Sequence, residues 1–173
     1  MLNNIDLAQV KQYEAEIKAD DNEALFTTRM TGTWQFDENG PQFTADAKTD
    51  AGPVRFALTH PNFEKLGNSP SPMAYGLFWI CWCASATFMT AAAKRGIKID
   101  ALHTDIEADL DYHAQFQLGT QPLVGAYRVT FNVTSAQATD EEIESLKQAA
   151  YNGSMALFTV RHEITLTVYA KRA

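Results

Sequence analysis

The feature that most narrows what this chain can fold into is a stretch without one charged residue, Leu66 to Ala93. Its length alone would admit a membrane span. Its first part, LGNSPSP, reads instead as a loop, and the remainder mixes Tyr, Ser and Thr with a run of alanines. No second stretch of this kind occurs. A helix that is apolar all round is otherwise an interior helix, and a buried rod, with no membrane, is the expectation. Pro70 and Pro72 mark its entry, because proline fits a first turn whose N–H groups have no partner. Lys94-Arg95-Gly96 closes it, with cations at the negative end of the dipole and glycine for a left-handed cap. At about 1.5 Å per residue the rod is about 36 Å long. One small domain has trouble covering such a helix on every side, so a second copy of the chain is expected against it, in a two-fold dimer.

Around the rod the periodicities are those of short elements. Residues 4–18 place Val10, Tyr13 and Ile17 on one helical face. Residues 25–36 switch to period two, with Phe26, Met30, Trp34 and Phe36 on one side, and DENG (37–40) signals a turn. Strands are predicted near 42–48, with Phe43, Ala45 and Ala47 inward, and near 53–59, with Val54, Phe56 and Leu58 inward. Three short strands in a row suggest an antiparallel meander. After the rod come a strand over residues 97–113, a loop at 114–124 and a strand at 126–134. Thr139-Asp-Glu-Glu142 is a capping box, so a helix is predicted from 140 to 152. A last strand is predicted at 163–170, with Ile164, Leu166 and Val168 inward. The order predicts an α+β protein of antiparallel sheets packed around a long central helix.

Composition limits the partners. The net charge is −7 and no basic cluster interrupts the sequence, which argues against nucleic acid and anionic membranes. Two cysteines, Cys81 and Cys83, are too few and too close for a secreted disulfide scaffold. Two apart on a helix, they point to nearly opposite sides and cannot bridge. Both read as thiols of a reducing cytoplasm. The first residues, MLNNIDLAQVKQYEAEIK, lack the apolar core of a signal peptide.

The element order and the segment SPMAYGLFWICWCASATFMTAAAKRGIKID resemble the OsmC/Ohr family of small dimeric stress proteins. In that family a proline-led central helix carries a cysteine, a basic-Gly-Ile helix end follows, and then a strand. Pro72, Cys83, Gly96 and Ile97 hold those places. DLDYHAQFQL and GAYRVTFNV resemble the family's long strand pair, and DEEIESLKQAAYNGSMALFTV its second helix and the turn after it. The resemblance covers roughly residues 24–170. It leaves 1–23 as an N-terminal helical extension on a domain of residues 24–173, and it implies an intertwined homodimer. It also implies reduction of organic hydroperoxides, with Cys83 as the attacking thiol. The family's resolving cysteine falls at Ser154, which cannot close a disulfide. The glutamate expected after the leading proline is Met73, and the DENG turn lacks the family's arginine.

A peroxidatic Cys83 needs a stabilised thiolate. It lies about three turns into its helix, beyond the reach of the dipole, so a cation must come from elsewhere. Arg29, Arg55 and Arg161 are candidates, with Arg29 preferred. The competing reading is an inert packed thiol among Trp79 and Thr87. Trp79, Trp82 and Phe78 crowd the helix and are candidates, with Met73 and Ser154, for lining an apolar pocket beside Cys83. The acidic ladder Asp105, Glu107, Asp109, Asp111, flanked by His103 and His113, reads as a solvated sheet face that Arg128 can offset across strands. No zinc spacing, P-loop or dinucleotide fingerprint is present, and neither metal nor cofactor is expected. Two functions of different class follow. One is thiol-dependent reduction of a small hydrophobic hydroperoxide, with an external thiol as reductant. The other is a non-catalytic dimer that binds an apolar small molecule at the subunit interface.

Overall fold

The computed structural model describes residues 1–37, 41–58 and 70–172. In chain order the elements are α1 (Leu7–Ala19), a 3-10 turn (Asp21–Ala24), β1 (Thr31–Trp34), β2 (Phe43–Thr49), β3 (Gly52–Leu58), α2 (Pro72–Lys94), β4 (Ala101–Leu110), β5 (Val124–Thr134), α3 (Asp140–Gly153) and α4 (Met155–Arg161). The predicted α+β order is observed, with both sheets antiparallel. The chain forms two compact units. One is Ala8–Gly76, and the other joins Met1–Leu7 to the residues from Leu77 onward.

In the first unit β1, β2 and β3 form the expected meander, with Trp34 opposite Phe43 and Ala45 opposite Phe56. Ala45 is buried, but Phe43, Val54 and Phe56 are exposed, so the predicted inward face is open in the single chain. The first strand is also shorter than its alternation suggested. Leu25, Phe26 and Met30 precede it and are exposed. Alternation marks which residues can share a face; a strand forms only where a neighbour completes the ladder, and β2 does so from Thr31 onward. Residues 38–40 of the predicted turn lie outside the described residues.

The second unit carries the core. α2 lays Ile80, Ala84, Phe88 and Ala92, four residues apart, on one buried stripe. Phe88 and Ala92 pack with Ile99, Leu146 and Ala150, while Ile80 and Ala84 pack with Ala156 and Leu157. β4 and β5 supply Leu102, Ile106, Tyr127, Val129 and Phe131 to the same layer. The helix ends as predicted: Gly96 takes a positive φ of 73°, and the Ile97 N–H donates to the Ala92 carbonyl. The capping box is formed, with the Glu142 N–H donating to Thr139 Oγ1 and the Thr139 N–H to Glu142 Oε2. Thr139→Ala should therefore lower stability by about 1 kcal/mol in urea unfolding.

α2 is only partly covered within the single chain, in line with the difficulty that one small domain has in covering it: Phe78, Trp79 and Trp82 are exposed on the side away from the core stripe. One expected element needs correction. The residues at 163–170 form no strand. Among the described residues no strand pairs with them, and Ile164, Leu166 and Val168 are exposed. Finally, a short helix unseen in the sequence, α4, follows α3 directly, started by Ser154 as its N-cap.

Candidate functional site

Cys83 sits midway along α2, and its surroundings are set by the elbow between α3 and α4. α3 ends at Gly153, and a Cβ at that position would come within 3.2 Å of Thr87 Cγ2. Glycine therefore lets the elbow approach α2 closely. The next residue, Ser154, is 1% exposed, and its hydroxyl donates to Cys83 Sγ at 3.3 Å. The same oxygen accepts the Leu157 N–H at 3.3 Å. With its acceptor side engaged by the backbone, the hydroxyl directs its single proton at the sulfur.

The two cysteines face apart, as their spacing demands. Cys81 turns toward the sheet, where its thiol donates to the Thr104 carbonyl at 3.4 Å. Cys83 turns toward the elbow and toward an open groove of about 540 Å³. Trp79, Trp82, Ala86, Thr87, Thr90, Lys94 and Met155 line this groove together with Cys83. Thr87 donates to the Cys83 carbonyl at 2.9 Å, so it leaves the thiol itself untouched. Phe78 stacks on Trp82, with centroids 6.5 Å apart, and extends the apolar surface along the helix. Cys83 is half-buried: it packs against the Ile80, Ala84, Ala156 and Leu157 cluster on one side and borders the open groove on the other.

The other candidates fall elsewhere. Met73 lies in the first turn of α2, within the first unit, and is not among the groove-lining residues. Arg29 is exposed in the first unit, ahead of β1. Arg55 is committed to Asp46 through two bonds of 2.9 Å. Arg161 lies over the Tyr151 ring at 3.8 Å and donates to the Leu157 and Tyr151 carbonyls. Met155 is a groove residue that sequence reasoning missed; a methionine just after a buried helix cap was the available signal.

The acidic ladder is a paired sheet face. Arg128 donates to Glu107 at 2.8 Å and to both Asp109 oxygens at 2.7 Å, and Asn132 donates to Asp105 at 2.6 Å. The Arg128 bonds hold the Asp109 carboxyl below its usual range. Among the described residues, no group of three or more His, Cys, Asp or Glu side chains could hold a metal ion.

With this geometry in hand, comparison decides the family. The family model for OsmC-like protein matches residues 65–169, more than half of the chain. The chain belongs to the OsmC-like family. Solved structures agree at the level of fold. An OsmC-like protein from Mycoplasma pneumoniae is 16% identical, with a TM-score of 0.56, over 79% of this chain and 88% of that one. An organic hydroperoxide resistance protein OsmC from Legionella pneumophila is 14% identical, with a TM-score of 0.54, over 79% and 90%. One from Elizabethkingia anophelis, with crystallant-derived thiocyanate bound, is 15% identical, with a TM-score of 0.55, over 79% and 89%. Among curated proteins, none matches significantly. The OsmC-like fold is a soluble domain, so the apolar α2 is the core helix of that domain, and its exposed side is a surface of this fold. α2 is also the one helix among the described residues long and apolar enough to cross a membrane.

Proposed function

We propose that this OsmC-like chain reduces hydrophobic organic hydroperoxides through Cys83, as a cytoplasmic homodimer that draws its electrons from an external thiol. The observation that carries this reading is the position of Cys83 on the wall of an apolar groove edged by Trp79 and Trp82. Phe78 and Met155 lengthen the surface that an apolar substrate would lie along. Arg29 is the cation proposed to assist the thiolate, and Met73 a residue proposed to contact substrate, both through assembly of the dimer. The solved relatives described as organic hydroperoxide resistance proteins support the same substrate class.

The steps balance as follows. The Cys83 thiolate attacks the terminal oxygen of the hydroperoxide, the O–O bond breaks, and the alkoxide takes a proton and leaves as an alcohol. Cys83 is then a sulfenic acid. A first external thiol condenses with it, releasing water and leaving a mixed disulfide. A second thiol attacks that disulfide, releases the oxidised reductant and restores Cys83. Ser154 contributes no sulfur, and Cys81 faces the sheet, so both reducing thiols come from outside.

The test is peroxide consumption by the purified protein with cumene hydroperoxide and a panel of monothiols and dithiols. Cys83→Ser should fall to the uncatalysed rate. Equal consumption by the two proteins would end the enzymatic reading.

The openness of the groove also favours a second reading, a non-catalytic dimer that binds an apolar small molecule between its subunits. In that case wild type and Cys83→Ser would both leave peroxide intact, yet both would show tryptophan fluorescence changes on titration with apolar ligands.

A further inference from the structure

We propose that Ser154 is the positioning residue of Cys83: its hydroxyl is the fixed donor that stabilises the thiolate and aims it at the groove. The inference rests on the peroxidatic reading of Cys83 but is tested apart from it. Three observations combine. Ser154 is buried to 1% exposure, so no water competes for its proton. Its oxygen receives the Leu157 N–H, which orients the remaining O–H toward Cys83 Sγ at 3.3 Å. Gly153 keeps the elbow close enough to α2 for this bond to form. A hydrogen bond donated to a charged acceptor is about twice as strong as one between neutral groups. A buried donor of this kind therefore favours the thiolate over the thiol.

The chemistry explains what a serine does where the resemblance calls for a second cysteine. It cannot form a disulfide, but it occupies the same place against the sulfur. There it stabilises the anion before attack and leaves the sulfenic acid open to a thiol arriving through the groove. Ser154 takes no part in bond making and acts only through Cys83.

The experiment uses the full chain in a Cys81→Ala background, so that Cys83 is the only thiol. Iodoacetamide alkylation is followed against pH. Ser154→Ala should slow alkylation at neutral pH about tenfold, the equivalent of one charge-assisted hydrogen bond, and move the pH profile upward. Ser154→Thr keeps the hydroxyl and should return the profile toward that of the parent. A purely structural role would not produce that rescue. Glycine is nearly as good a helix cap as serine, so Ser154→Gly gives the same readout should the alanine variant fail to fold. A profile unchanged in the alanine or glycine variant overturns the proposal whatever the protein does to peroxide. Absence of peroxide reduction in the parent, with the alkylation shift intact, instead removes the enzymatic reading and leaves the Ser154 assignment standing.

Discussion

Ser154→Cys should convert this one-cysteine site into a dithiol that closes on itself. In the native chain, Ser154 Oγ and Cys83 Sγ are 3.3 Å apart. A disulfide needs a sulfur separation of about 2.05 Å, so two side-chain tips that already touch have only a short way to close. One equivalent of hydroperoxide should therefore leave the variant without an alkylatable Cys83, and the thiol should return only after dithiothreitol. The native chain, treated in the same way, should remain reducible by a monothiol through a mixed disulfide. The new bridge spans a sequence separation of 71 residues. On the chain-entropy view such a loop stabilises the oxidised variant over its reduced form by about 4 kcal/mol, the loss of the serine cap being common to both. Thermal unfolding of the oxidised and reduced variant measures the difference. If neither peroxide nor the direct thiol oxidant diamide closes the bridge, by thiol counting and non-reducing mass analysis, the close contact between elbow and helix is wrong and the reading of Ser154 falls with it; a bridge formed with diamide but not with peroxide removes only the peroxidatic reading of Cys83.

Legibility in the sequence followed the range of the forces involved. The ends of α2 and the start of α3 are local devices: proline at entry, Gly96 at a positive φ, the Thr139–Glu142 box. Each is written within a few residues, and each was readable. The strand pair β4–β5 was readable for the same reason, since His103, Asp105, Glu107 and Asp109 alternate with the apolar face and Arg128 stands across from Glu107. What failed to read depended on partners far away or not within the chain. Ile164, Leu166 and Val168 alternate as a strand would, but alternation cannot supply the neighbouring ladder. Phe26 and Met30 failed in the same way. The elbow was missed because Gly153-Ser154-Met155 carries no periodicity; only the packing of α3 and α4 against α2 shows that its serine caps a helix and touches a sulfur. Cys83 itself was singled out as a candidate through family resemblance, since residue type and spacing alone also fitted an inert thiol.

The two sides of α2 should answer to substitution in different ways, and this contrast tests the proposed dimer. Phe88 is fully buried, its ring 5.0 Å from that of Phe131, with Leu146 and Ala150 in the same cluster. Phe88→Ala removes a ring that nothing nearby can replace, and should cost about 3–5 kcal/mol. Phe78, ten residues earlier on the same helix, is 66% exposed within the chain and touches Trp82. If a second copy covers this side, Phe78→Glu places a charge in an apolar interface, where burial without a partner is costly. Sedimentation velocity should then show the native protein and a Phe88→Ala variant that still folds as dimers, and Phe78→Glu shifted to monomer. The helical signal in circular dichroism should remain in Phe78→Glu, because the core stripe of Ile80, Ala84, Phe88 and Ala92 is untouched. A native protein that sediments as a monomer at all concentrations would leave the aromatic side of α2 bare in water. That outcome would remove the dimer, and with it the route by which Arg29 and Met73 are proposed to reach the groove.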